Sequence, residues 1–275
     1  MINYLKDKYY WHKVDQKLRI FLKEENDQKI LMFGYPKSGN TWLRFLLFNY
    51  CNLLLNPDED KTISYDRLNI LQNNVMDRGT TFSNEKGFPL FYRTHKIYHK
   101  SYSLFSPKIF IHRNPLDTLI SAYYFYKNRD VPFSDDVIEI REKLFDIDFY
   151  ICYNINNWIN FYYTSLKNAD VVMNYSKMRV NCKKELSELI CFLDWDFDEK
   201  LVEKAVEFSS FKNVKKMGEV NSQQYGNGPN DGTFNGEFTR SGLESQFYDE
   251  LQDETINFVL DKFPNFNKIY PNLIE

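Results

Sequence analysis

A chain of 275 residues, 43% hydrophobic and 17% aromatic, is long enough to bury a substantial core, and we expect one domain over 1–275. Its 35 basic and 38 acidic residues leave a net charge of −3, which excludes a surface given over to nucleic acid or anionic membrane; any cationic site must be local. Cysteines at 51, 152, 182 and 191 form no C-x-x-C pair and no zinc spacing, so they read as free thiols in a reducing compartment, and no metal site is expected.

Met1 to Lys13 carries charges throughout and has no apolar core of signal-peptide length, which points to a cytoplasmic protein. We read residues 1–28 as a helical or extended N-terminal segment. Ile30-Leu31-Met32-Phe33 is a strand, and it runs through Tyr35-Pro36-Lys37-Ser38-Gly39-Asn40-Thr41-Trp42 into a hydrophobic stretch from Leu43 to Leu55. That order is strand, phosphate loop, helix. The stretch is too short for a membrane span and is interrupted by Arg44 and Asn49.

Asn56-Pro57-Asp58 ends the helix, and a polar segment to about Gly87 reads as an irregular excursion above the sheet. Strands come next at Leu90–Thr94 and Lys108–His112. The second leads into a helix in which Leu116, Leu119, Ile120, Tyr123 and Tyr124 keep helical spacing, with Asn114 as N-cap and Pro115 at the first helical position. About Asp148 to Lys167 forms an aromatic-rich helix, Asp170–Met173 a fourth strand, and Leu186, Leu189, Ile190 and Leu193 a helix capped by Asn181. From 217 to 242 the composition shifts to Gly, Asn, Ser and Gln, which we read as a long loop over the active site. A helix from Leu243 to Lys262 closes the fold. Strands alternating with helices predict an α/β domain with a central parallel β-sheet flanked by helices on both faces, P-loop NTPase-like.

Gly34 and Gly39 have the spacing of the P-loop G-x-x-x-x-G-K-[ST], and Thr41 keeps its hydroxyl position, but Asn40 replaces its lysine. The loop lysine is Lys37. Such a loop still offers backbone N–H groups and a helix N-terminus to an anion, with its cation elsewhere along the bound group. His95 comes directly after a strand, at the edge where ligands collect in parallel sheets, and is the general-base candidate. Arg113-Asn114-Pro115 repeats the strand-to-helix logic with a guanidinium, a second phosphate site; Ser121 lies about two turns further along that helix and can face the first loop. Arg240-Ser241-Gly242 offers a further cation and a flexible backbone.

On these blocks the chain resembles the cytosolic-type sulfotransferases, which use 3′-phosphoadenosine 5′-phosphosulfate (PAPS) and release adenosine 3′,5′-bisphosphate (PAP). Residues 35 to 42 look like that family's 5′-phosphosulfate loop and Arg113 through Ser121 like its 3′-phosphate segment. The resemblance implies a donor site holding Lys37, Ser38, Gly39, Asn40, Thr41, Trp42, Arg113, Ser121, Tyr175, Ser209, Phe211, Arg240, Ser241 and Gly242. Within it, Lys37 would stabilise the oxygen bridging phosphate and sulfonate, and His95 would take the acceptor's proton. Ser121 would touch the 3′-phosphate and restrain Lys37. Arg113, Arg240 and the Gly242 N–H would hold the 3′-phosphate, Trp42 would stack on adenine, and Tyr175, Ser209 and Phe211 would complete the adenine contacts. No metal is implied.

The pattern departs from the family where Asn40 replaces a threonine and Ser241 a lysine, and its C-terminal dimerisation segment is not recognisable. A P-loop kinase or NTPase and a non-catalytic nucleotide-binding protein stay open as alternatives. The expected acceptor is a small molecule or saccharide, bearing a hydroxyl rather than an amine. Segments 57–88, 129–148 and 217–239 are expected to roof its pocket with Phe82, Phe88, Phe133, Phe145, Tyr225 and Phe234.

Overall fold

The computed structural model describes residues 28–58, 61–75, 88–127, 143–222 and 242–271, together with Asp15, Gln16, Arg19 and Leu273. Five strands form one sheet: β1 (Lys29–Phe33), β2 (Gln72–Asn74), β3 (Leu90–Thr94), β4 (Lys108–His112) and β5 (Val171–Asn174), in the order β2-β3-β1-β4-β5. Every neighbouring pair is parallel. The three central strands carry apolar runs, Ile30–Phe33, Leu90–Tyr92 and Ile109–Ile111, because both faces of the sheet are covered. On β1, Leu31 and Phe33 join one core while Ile30 and Met32 join the other; on β4, Phe110 faces the first, Ile109 and Ile111 the second.

The second core is closed by α1 (Asn40–Leu55), α2 (Tyr65–Leu71), α5 (Tyr175–Val180), α6 (Cys182–Phe192), α7 (Glu199–Phe208) and α8 (Phe211–Ser222). The first is closed by α3 (Pro115–Lys127), α4 (Ile147–Asn168), α9 (Phe247–Glu250), α10 (Asp253–Lys262) and α11 (Phe266–Ile269). Residues Leu43 to Leu53 of α1 are all buried, so the polar side chains among them must be satisfied internally. Arg44 donates to Asn69 Oδ1 at 3.1 Å. Asn49 donates to Ser209 Oγ at 3.0 Å and accepts from the Ile63 N–H at 2.9 Å. Among the described residues no helix is long and apolar enough to cross a membrane.

Several expectations need correction. The polar segment after Asp58 is not irregular throughout: it holds α2 and the edge strand β2, whose Gln72 pairs with Phe91. The loop expected from Met217 begins later, since α8 runs to Ser222, and residues 223–241 lie outside the described set. The closing helix is broken in two. Leu251 leaves helical geometry at φ −120, ψ 154, and the Gln252 N–H is drawn to Asp148 Oδ1 at 3.0 Å before α10 starts. The caps hold: Asn114 accepts from the Asp117 N–H at 2.8 Å and Asn181 from the Lys184 N–H at 3.1 Å.

His112 closes β4 as a core group. Its Nδ1 lies 2.6 Å from the Tyr270 hydroxyl, and burial, with a smaller push from Lys177, drops its pKa to about 3. The folded pKa is below that of the unfolded chain, so the unfolded state binds a proton that the folded state refuses. The contribution is present above about pH 6.5 and is lost as pH falls toward 3, at up to about 1.4 kcal/mol per pH unit. Urea denaturation at pH 7 and pH 4.5 should show wild type losing more stability than His112→Asn. Parallel losses in the two proteins would remove this assignment.

Candidate active site

Parallel register makes the strands end together: Phe33 lies beside Thr94 and Phe110, and His112 beside Asn174. The segments that leave the strand ends therefore share one edge of the sheet. The loop Gly34–Gly39 leaves β1, His95 leaves β3, Arg113 leaves β4 and Tyr175 leaves β5. Chain order reverses at β1, which has β3 on one side and β4 on the other, and ligands of open parallel sheets sit outside such a switch point.

The loop is pulled into an anion-sized turn by its own bonds. Ser38 N–H and Asn40 Nδ2 both donate to the Tyr35 carbonyl, at 3.2 and 3.0 Å. Gly39 then caps α1 at φ 96 with no side-chain cap, so the helix N-terminus is not closed by the protein's own side chain. A Cβ at Gly39 would stand 2.5 Å from the Tyr175 ring, so this glycine is required by both dihedral and space. Lys37 adopts φ 70, which costs a residue with a Cβ about 1–2 kcal/mol, and the turn aims its side chain toward α3. There its Nζ lies 4.5 Å from the centre of the Phe125 ring. Phe125 is one helical turn beyond Ser121, so the lysine and the serine share one side of α3. Ser38 is fully buried, and its hydroxyl has no hydrogen-bond partner among the described residues.

His95 is half-buried, and its Nδ1 lies 2.9 Å from the Gly34 carbonyl. A carbonyl only accepts, so Nδ1 carries the proton and Nε2 of the neutral ring keeps a lone pair. Loop and histidine are thus bonded to each other.

Around Arg113 a second cluster forms. Its guanidinium donates to the Leu243 carbonyl, stands 4.8 Å over the Tyr175 ring and lies 3.5 Å from the Asp117 carboxylate, while its Nε has no partner among the described residues. Asp117 is buried and accepts from Asn114 Nδ2 at 2.8 Å and from the Ser245 and Gln246 N–H groups at 2.9 and 3.0 Å. It ties segment 242–246 to the start of α3. Tyr175 reaches the same segment through its hydroxyl, which donates to the Gly242 carbonyl at 3.0 Å, and meets Trp42 edge-on at 5.5 Å. Gly242, at φ 63, leaves only enough space for Phe211, whose ring would lie 2.6 Å from an added Cβ. Glu244 accepts from Ser176 Oγ at 2.5 Å; burial holds its carboxyl above the usual range, against the pull of Ser176 and Arg113.

The structure therefore brings together Lys37, Ser38, Gly39, Asn40, Thr41 and Trp42 on the first loop and helix, His95 and Ser121 beside it, and Arg113, Tyr175, Phe211 and Gly242 in the second cluster. Ser209 differs: it is wholly buried, with its hydroxyl taken by Asn49. Arg240 and Ser241 lie outside the described residues, as do Phe82, Phe133, Tyr225 and Phe234. Phe88 is buried and Phe145 is half exposed. Sequence reasoning missed Asp117 and Phe125. The only signal for Asp117 was an acid in the first turn of a helix; Phe125 had none.

A model of the sulfotransferase domain matches residues 27–265. The chain belongs to the sulfotransferase family. Among curated relatives, this sulfotransferase is 26% identical over 213 residues to Sulfotransferase 1E1 of Bos taurus, covering 72% of this chain and 70% of that one. It is 27% identical to the amine sulfotransferase of Oryctolagus cuniculus, over 81% and 75% of the two chains. With the 3-beta-hydroxysteroid sulfotransferase of Cavia porcellus it shares 24% identity over 89% and 83%. Among solved structures, mouse sulfotransferase SULT7A1 complexed with PAP superposes with a TM-score of 0.58 at 16% identity, over 90% of this chain and 85% of that one. Retinol dehydratase in complex with androsterone and PAP gives 0.62 at 12% identity, over 87% and 80%.

Proposed function

We propose that this sulfotransferase moves the sulfonate of PAPS to a hydroxyl of a small-molecule or saccharide acceptor, releasing PAP. The observation that carries the reading is the bond from His95 Nδ1 to the Gly34 carbonyl, which puts the ring's proton on Nδ1 and its lone pair on Nε2, beside the phosphate loop. In the step we infer, the acceptor oxygen attacks sulfur as Nε2 takes its proton, and the bond from sulfur to the bridging oxygen breaks. The electron pair passes to the 5′-phosphate of PAP. Lys37 supplies the charge that stabilises that oxygen, and the loop N–H groups hold the phosphate. Ser121, one turn from the ring under Lys37, restrains the lysine from the 3′-phosphate side.

The donor's other end fits the second cluster. Arg113, whose buried Nε has no partner among the described residues, would bind the 3′-phosphate together with Arg240, Ser241 and the Gly242 N–H. Trp42, Tyr175 and Phe211 would flank adenine. Asp117 acts one layer out by fixing the backbone of 242–246. The acceptor is left open by kinship, since relatives with names as different as amine and 3-beta-hydroxysteroid sulfotransferase match at 27% and 24% identity. A hydroxyl suits a single neutral imidazole base. A cytoplasmic location accords with the family.

The test is transfer from sulfur-35 PAPS to a panel of alcohols, phenols, saccharides and amines without added magnesium. Labelled product from a hydroxyl acceptor is expected. Magnesium-dependent ATP turnover, or PAP binding with no transfer to any acceptor, would overturn the reading in favour of an NTPase or a non-catalytic nucleotide-binding protein.

A further inference from the structure

We infer that Asp117 is a positioning residue for the donor's 3′-phosphate: its carboxylate joins Arg113 and the segment 242–246 into one unit, and the preference for a 3′-phosphorylated nucleotide depends on that joint. The inference rests on PAPS being the donor, with its 3′-phosphate at Arg113.

The two oxygens of the carboxylate divide the work. Oδ1 accepts from the Gln246 N–H at 3.0 Å, while Oδ2 accepts from the Ser245 N–H at 2.9 Å and from Asn114 Nδ2 at 2.8 Å. Consecutive backbone N–H groups converge on one anion because Ser245 is left-handed at φ 60 and Gln246 right-handed at φ −68, ψ −15, an alternation that makes an anion-holding concavity. A serine adopts φ 60 only where its surroundings hold it there. The same carboxylate also reaches the guanidinium: Arg113 Nη2 lies 3.5 Å from Oδ2 and donates to the Leu243 carbonyl. Carboxylate and segment together therefore set the plane of the guanidinium. On its other side the segment is held by α5, where the Tyr175 hydroxyl donates to the Gly242 carbonyl at 3.0 Å and Ser176 Oγ donates to Glu244 at 2.5 Å. It thus bridges the helices that follow β4 and β5.

Asp117 is only 1% exposed, and an anion would repel a phosphate that it met directly. Its effect must pass through the groups it holds. Those groups face the 3′-phosphate and not the 5′ end of the nucleotide, which belongs to the loop after β1. Loss of the joint should therefore be felt by one phosphate and not by the other.

The experiment measures, by calorimetry, the dissociation constants of PAP and of adenosine 5′-monophosphate, which lacks only the 3′-phosphate, in wild type and in Asp117→Asn. Asparagine matches aspartate in size but keeps one accepting oxygen where the segment uses two. PAP is expected to bind the variant about tenfold more weakly while adenosine 5′-monophosphate stays within about twofold, so the preference itself falls. A merely structural aspartate would lower the unfolding midpoint and weaken both nucleotides by one factor. A measurement on wild type alone stands beside this one, should the variant fail to fold: saturating PAP is expected to slow amide hydrogen exchange across 243–250 more than saturating adenosine 5′-monophosphate does. An unchanged preference in Asp117→Asn, or equal protection by the two nucleotides in a wild type that prefers PAP, would overturn this inference alone. A wild type with no preference for PAP would overturn the donor reading and this inference with it.

Discussion

His95→Ala is expected to lower turnover about a hundredfold to ten-thousandfold, the usual worth of a positioned general base, while PAP binding stays within about twofold of wild type. The split comes from geometry. His95 Nδ1 is bonded to the Gly34 carbonyl at 2.9 Å, at the first residue of the loop and ahead of the N–H groups that would cradle the donor. The alanine variant removes that bond as well as the base, and His95→Asn separates the two. An asparagine amide can offer an N–H near the position of Nδ1 but has no lone pair where Nε2 was, so it should be as slow as alanine. Single-turnover rates with sulfur-35 PAPS and any acceptor identified by the panel, beside PAP calorimetry, decide the matter. An asparagine variant that turns over like wild type would reduce His95 to a prop for the loop.

Much of this architecture could be read before any coordinates because fully buried parallel strands are unbroken apolar runs and need no alternation to be seen. Leu90–Tyr92 and Ile109–Ile111 are such runs, and the ends of their strands put His95 and Arg113 on the edge where the loop also lies. β2 was invisible for the opposite reason: Gln72-Asn73-Asn74 has no strand signal of its own and is extended because β3 offers it a partner. The break between α9 and α10 is likewise tertiary, set by Asp148 on another helix. In the candidate site, spacing pointed to groups on the loop and at the strand ends but not to those packed behind them. Asp117 binds backbone about 130 residues away, at Ser245 and Gln246, and nothing local distinguishes it from an ordinary first-turn acid. Phe125 looks like one more aromatic in Tyr123-Tyr124-Phe125-Tyr126, and only the fold puts a lysine over its face.

Lys37→Ala should slow transfer about a hundredfold to a thousandfold, the range seen when one preorganised donor to a developing oxyanion is lost. As the bond from sulfur to the bridging oxygen breaks, charge grows on an oxygen beside the N-terminus of α1. The dipole and the loop N–H groups meet part of it before the reaction starts, and a mobile ammonium meets the rest only as the bond lengthens. The loss should therefore fall on the rate of the chemical step more than on donor affinity. The loop N–H groups would keep most of the contacts to the donor's phosphate in the variant, so the PAP dissociation constant should move much less than the rate. Lys37→Arg restores charge in a longer, planar form that cannot reproduce a point charge on one oxygen, and we expect it to recover only part of the rate. Single-turnover measurement with PAPS preloaded checks both variants. An alanine variant that transfers sulfonate at the wild-type rate would move the leaving-group role to the backbone of the loop.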